Sequence, residues 1–284
     1  MIYISTSCSG LRSIGEVIED FAGYGIRQIE LSGGMDYEED LETKLFRLQD
    51  RYDLDFLLHN YFPPPEEAFV LNLASLDEEI WHKSLDHYRK AIQLSKKLGA
   101  KRFGLHAGFF IHLGTKDLGG YADTDVRFDR DLAINRFCEG YKALRNFSGD
   151  VKLYVENNVL SITNRERYTG FKPFMLLDDE DLQELKSRLD FPLLTDAAHL
   201  KVSANTLGFD FEPALKSWVH ISDFLHLSDN DGEQDSNQPI EETSDLYRQL
   251  KQCNLNNKTI SLEIKAPLDA VLTTRERIEK IISQ

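Results

Sequence analysis

The chain has 284 residues, 41% hydrophobic and 29% charged, which excludes a disordered chain and is long enough to bury a core without staples. Its 33 Lys and Arg against 48 Asp and Glu leave a net charge of −15. That disfavours functions resting on non-specific attraction to nucleic acid or anionic membrane, because phosphates repel an acidic surface. The three cysteines, Cys8, Cys138 and Cys253, are scattered without a C-x-x-C pair, so neither a disulfide framework nor a thiolate zinc site is expected. The first residues read as a short strand rather than a signal peptide, and no apolar run nears the ~20 residues of a membrane span. The expectation is a cytoplasmic protein with no membrane partner.

In chain order, strands are expected at Ile2–Ser5, Gln28–Leu31, Phe56–His59, Arg102–His106, Lys152–Glu156, Pro192–Asp196, Phe224–His226 and Ile260–Ile264. Consecutive apolar residues such as Phe56-Leu57-Leu58 fit strands covered on both faces of a parallel sheet. Between them, helices are expected at Ile14–Tyr24, Glu38–Arg51, Asp77–Leu98, Asp131–Asn146, Asp179–Leu189, Phe211–Ser222, Thr243–Cys253 and Leu268–Ile282. In the longest, Ile80, Trp81, Leu85, Tyr88, Ile92 and Leu94 recur near a 3.6-residue period, and Gly99 follows as a stop. Eight strand–helix units in one chain predict the α/β class, as a single (β/α)8 barrel domain over residues 1–284. An open doubly wound sheet is the alternative, but no G-x-G-x-x-G follows the first strand.

A barrel carries its chemistry at the C-terminal ends of its strands. There the sequence reads His59-Asn60, His106-Ala107-Gly108, Glu156-Asn157-Asn158, Asp196-Ala-Ala-His199, His226-Leu-Ser-Asp229 and Glu263-Ile-Lys265. One such histidine or carboxylate is ordinarily a satisfied hydrogen bond. Six consecutive strand ends converging on one mouth are different, since clustered carboxylates repel unless protonated or neutralised by a cation. Mixed carboxylate and imidazole donors suit zinc, manganese, cobalt or iron better than calcium.

These motifs, with Asn72-Leu73-Ala74-Ser75 and Leu98-Gly99-Ala100, resemble the xylose-isomerase-like barrel superfamily along the whole chain. That superfamily holds sugar isomerases and epimerases and also endonuclease IV. The resemblance implies a divalent metal (Mn, Zn, Co or Mg) on Glu156, Asp196, His226 and Glu263, with His199 facing the substrate. By likeness to the three-zinc site of endonuclease IV, His59, His106, His199 and Asp235 serve either a second metal or the substrate. Asn237 stands where endonuclease IV has a histidine, and an amide is a poor zinc ligand, so one or two ions are expected.

The expected activity is isomerisation or epimerisation of a small sugar or sugar phosphate. It requires removing a proton alpha to a carbonyl and stabilising the enediolate with the metal. Glu156 and Glu263 are the expected catalytic pair, and His199, Lys201, Asn158 and Asn237 the expected substrate contacts. Lys201, Arg165, Arg167 and Lys265 are candidates for an anionic group, and Ser161–Pro173 for a lid. Trp81, Trp218, His82, His87 and His220 are expected to be structural. The alternatives are an endonuclease-IV-like phosphodiesterase acting on abasic DNA, or a non-catalytic binding barrel. The charge balance and Asn237 count against the nuclease, so nucleic acid is a disfavoured partner. Barrels of this family often pair, which leaves a homodimer open.

Overall fold

A computed structural model describes residues 1–117 and 119–284. Eight parallel strands close into a barrel in chain order: β1 (Ile2–Ser5), β2 (Gln28–Leu31), β3 (Asp55–His59), β4 (Arg102–His106), β5 (Lys152–Glu156), β6 (Leu193–Asp196), β7 (Phe224–Leu227) and β8 (Thr259–Leu262). Closure is made by β1 against β8, with Ile2 opposite Ile260 and Ile4 opposite Leu262. The fold is the (β/α)8 barrel that the alternation predicts. Among the described residues, no helix is long and apolar enough to cross a membrane.

Helices follow the strands: α1 (Ile14–Gly23), α2 (Leu41–Tyr52), α3 (Glu78–Lys97), α4 (Arg130–Ser148), α5 (Ile162–Arg167), α6 (Asp179–Arg188), α7 (Ala197–Leu207), α8 (Phe211–Ile221), α9 (Asp245–Leu250) and α10 (Leu268–Ile282). α3 starts where the Asp77 carboxylate accepts from the amides of Glu79 and Ile80 and ends before the left-handed Gly99. Its buried face carries Trp81, Leu85, Tyr88 and Ile92. Trp218 is also buried, whereas His82 and His220 are exposed.

Two helices depart from the expected elements. The segment after β6, given no element by the sequence pattern, is α7, capped by Asp196, whose carboxylate accepts from the His199 amide at 2.7 Å. It buries the polar His199 and Ser203 along with Ala197, Ala198, Leu200, Val202 and Ala204, so polar and apolar residues do not separate cleanly at a 3.6-residue period. The expected lid holds α5, whose Asn164 clasps the preceding crossover: its Oδ1 accepts from Ala122 N and its Nδ2 donates to Gly120 O, both at 2.9 Å. A separate apolar cluster including Val70, Phe109, Ile111, Leu160 and Tyr168 packs there. β8 ends at Leu262, so Glu263 stands just beyond the strand.

The Asn72 motif is also architectural. Its side-chain oxygen accepts from the amides of Ala74 and Phe109, and its amide nitrogen donates to Phe109 O. That ties the loop after β3 to the loop after β4, two of the loops that carry the site.

Candidate metal centre

Glu156 ends β5 at the centre of the mouth and is fully buried. Its Oε2 lies 2.6 Å from His59 Nε2 and 3.4 Å from His106 Nε2, while its Oε1 lies 3.1 Å from His226 Nδ1. The two oxygens therefore face two different sets of imidazoles. His226 Nδ1 is also 3.5 Å from Glu263 Oε2, whose other oxygen accepts from Ser5 Oγ at 3.3 Å. On the far side, His199 Nδ1 meets Asn157 O at 2.8 Å, leaving its Nε2 3.4 Å from Asp235 Oδ2.

Three overlapping groups each bring their donor atoms within 4.8 Å of one another: His59, His226 and Glu263; His59, His106 and Glu156; and Glu156, Asp196 and His199. Glu156 Oε1, His226 Nδ1 and Asp235 Oδ1 are buried with no hydrogen-bond partner. A buried polar atom left unpartnered is costly. Carboxylate and imidazole donors converging with open positions fit a first-row divalent ion such as Zn or Mn.

The electrostatics are those of a coupled cluster. Burial opposes the charge on Glu156, but His106, His59 and His226 outweigh it and hold the carboxyl well below the ordinary range. Glu263 is likewise pulled down to about 2 by His226 and His59 against the cost of burial. Asp196 moves the other way, to about 7, because burial and the neighbouring Glu156 and Asp235 oppose its charge despite His199. Burial pushes His106 down to about 4. Against burial, carboxylates raise His226 and His199 well above the usual imidazole value.

The structure thus brings together His59, His106, Glu156, Asp196, His199, His226, Asp235 and Glu263. Lys201 lies outside the cluster: its ammonium is 2.6 Å from Asp229 Oδ1 and also donates to Asn230 O, bracing the loop after β7. Arg167 is paired to Asp125 at 2.5 Å. Asn158 spends its amide hydrogens on the carbonyls of Ala107, Gly108 and Met175. Asn237 takes a left-handed φ of 51°, accepts from Ser228 Oγ and turns its nitrogen to Asp235.

Sequence reasoning missed one charged residue here. Glu30 of β2 is fully buried, with its carboxylate 3.2 Å from His226 Nε2. The available signal was a carboxylate at the third position of Gln28-Ile29-Glu30-Leu31, a strand expected to be covered on both faces.

A cavity of about 540 Å³ opens above the centre. His106, His199 and Asp235 line its floor side, and Tyr61, Phe109 and Phe174 its walls. Among the described residues lining it there is no Lys or Arg.

A closed parallel barrel with a carboxylate–imidazole cluster at its C-terminal mouth defines the class: a (β/α)8 barrel with a candidate metal centre. More narrowly, the chain belongs to the xylose isomerase-like TIM barrel family, whose family model matches residues 18–281. It is 26% identical over 151 residues to the probable endonuclease 4 of Thermotoga petrophila, covering 53% of this chain and 45% of that protein. The chain thus matches under half the length of that curated relative. Among solved structures it shares its fold with a D-tagatose 3-epimerase-like protein (TM-score 0.72, 18% identity, 99% of this chain and 97% of that one). It also shares it with endonuclease IV from Thermus thermophilus (TM-score 0.59, 15% identity, 99% and 98%).

Proposed function

We propose that the chain is a divalent-metal enzyme that isomerises or epimerises a small, uncharged sugar. The observation that carries this reading is the cavity over the centre, small-molecule in size and lined by aromatic and amide side chains without a cation for phosphate. A sugar presents hydroxyls for hydrogen bonds and an apolar ring face for Tyr61, Phe109 and Phe174. The sugar-phosphate variant has less support, because Lys201 and Arg167, two of the cations expected to meet an anionic group, are committed to Asp229 and Asp125.

Glu156, Asp196, His226 and Glu263 would hold the ion, which supplies positive charge for negative charge developing on the substrate oxygens. The protein's own groups do the proton work. Glu156 at the end of β5 and Glu263 just beyond β8 flank His226 Nδ1 and are held ionised at neutral pH. A carboxylate in that state is an acceptor, as abstraction alpha to a carbonyl requires. Glu263 is the more open of the two, its side chain 16% exposed against none for Glu156. His199, with Nδ1 tied to Asn157 O, offers Nε2 to orient a substrate hydroxyl.

A second reading is favoured by one specific feature. Glu156 faces His59 and His106 through one oxygen and His226 through the other, which suits a carboxylate bridging two ions. A multi-metal phosphodiesterase has use for that, and the relative from Thermotoga petrophila is named for nuclease activity. One experiment separates the readings: the metal-loaded protein is incubated in D2O with a panel of free ketoses and aldoses, and in parallel with an abasic-site duplex. Deuterium entering a sugar at the carbon alpha to its carbonyl supports the first reading. Strand cleavage without any sugar exchange would replace it with the second.

A further inference from the structure

Glu30 has no part in the proton transfers above, yet it occupies an expensive position. Its carboxylate is wholly removed from solvent, and a buried charge is tolerated only when paired. Among the described residues its side-chain partner is His226, whose Nε2 lies 3.3 Å from Oε1 and 3.2 Å from Oε2. The other ring nitrogen, Nδ1, faces the carboxylates of Glu156 and Glu263.

A neutral imidazole has one N–H, and ionised carboxylates only accept. Nδ1 can present a lone pair between Glu156 and Glu263 only when the proton sits on Nε2. An acceptor at Nε2 therefore selects the tautomer and fixes the ring plane. His199 is oriented the same way by a neutral group, its Nδ1 held at the carbonyl of Asn157. At His226 the orienting group is a carboxylate, which also makes the opposite nitrogen a better donor.

We propose that Glu30 is a positioning residue of the centre: it accepts the hydrogen bond of the Nε2–H of His226 and holds Nδ1 as a bare, strengthened ligand atom for a divalent cation. The proposal rests on the reading that Glu156, Asp196, His226 and Glu263 hold such an ion. A purely structural role would move stability without moving metal affinity, so the two quantities are read separately.

The test is a titration of metal-stripped protein with Co(II), reading the visible ligand-field band and the dissociation constant by chelator competition. Wild type, Glu30→Gln and Glu30→Leu are compared, with thermal midpoints of the metal-free proteins measured alongside. The carboxamide keeps an acceptor oxygen without the charge, so Glu30→Gln should weaken Co(II) binding about tenfold. Glu30→Leu should weaken it up to about 100-fold and change the band. Wild-type affinity and spectrum in Glu30→Leu would overturn the proposal, as would a fall in the metal-free midpoint with unaltered Co(II) binding. Should Glu30→Leu fail to fold, an unaltered titration in Glu30→Gln overturns it equally. Wild type that takes up no Co(II), Zn(II) or Mn(II) would instead overturn the metal reading itself.

Discussion

His59 and Glu156 meet at 2.6 Å although they belong to β3 and β5, which are not neighbours in the sheet. The strand between them, β4, contributes Gly104 at this level, paired with His59 on one side and Tyr154 on the other. Glycine's lack of a side chain is what lets the imidazole cross. A Cβ at Gly104 would stand 2.8 Å from His59 Cδ2 and 2.8 Å from Leu194 Cδ1.

Gly104→Ala should therefore act on the centre from outside it. The strand backbone cannot retreat within a closed barrel, so His59 must swing away. The expected cost is about 1–3 kcal/mol of stability, seen in denaturant unfolding, together with weaker metal uptake. Wild-type values for both would show that His59 has room to spare.

Glu156→Gln should abolish the chemistry while leaving the barrel folded. The change removes the one carboxylate shared by His59, His106 and His226, and acid–base catalysis by a placed carboxylate is worth about 100-fold or more. Turnover is read on the sugar found by deuterium exchange, and folding by circular dichroism. Near-full activity would remove Glu156 from the catalytic pair.

Chelation should lower the thermal midpoint of metal-loaded protein. An ion that binds the folded state alone, present at 100 times its dissociation constant, adds about 2.7 kcal/mol. The unpartnered oxygens and nitrogens of the cluster give it sites to fill. Identical scans with and without chelator, on protein that elemental analysis shows to be loaded, would count against this.

His87 makes an acid-side prediction free of the cluster. Buried on α3 against the carbonyl of Asn60, it is pushed by burial down to about 4. Between its ordinary pKa of about 6.5 and 4 the unfolded chain binds a proton that the folded chain refuses. Its contribution is thus complete above pH 6.5 and lost as pH falls towards 4, by up to about 3 kcal/mol. Subtracting the stability–pH curve of His87→Gln from that of wild type isolates this slope; parallel curves would show that His87 does not supply it.

Lys201→Met should cost stability before it costs recognition. The Lys201–Asp229 pair is mostly buried, and removing one partner leaves the other charge uncompensated, for about 3–5 kcal/mol. Chemical unfolding and steady-state kinetics are measured on the same preparation. A raised KM with unchanged stability would return Lys201 to the substrate.

Much of this protein was legible along the chain. Short β-like runs of two or three apolar residues alternating with amphipathic segments point to eight strand–helix units, and polar residues at the strand ends point to a crowded mouth. His59, His106, Glu156, Asp196, His226 and Glu263 were readable because each terminates or directly follows an apolar run. α7 was not, because its buried side includes the polar His199 and Ser203, which blurs the period. Lys201 and Arg167 read as free cations because a partner 28 or 42 residues away leaves no local trace.

By itself, then, the sequence determined the class of fold and the kinds of donor atoms at its mouth, since both follow from local periodicity and residue chemistry. The tertiary structure decided which donors face which. Closing β1 onto β8 sets the register that puts Glu30 behind His226, and the empty position at Gly104 lets His59 reach Glu156. Those relations join residues up to 196 positions apart, and only the closed barrel brings them within a hydrogen bond's length.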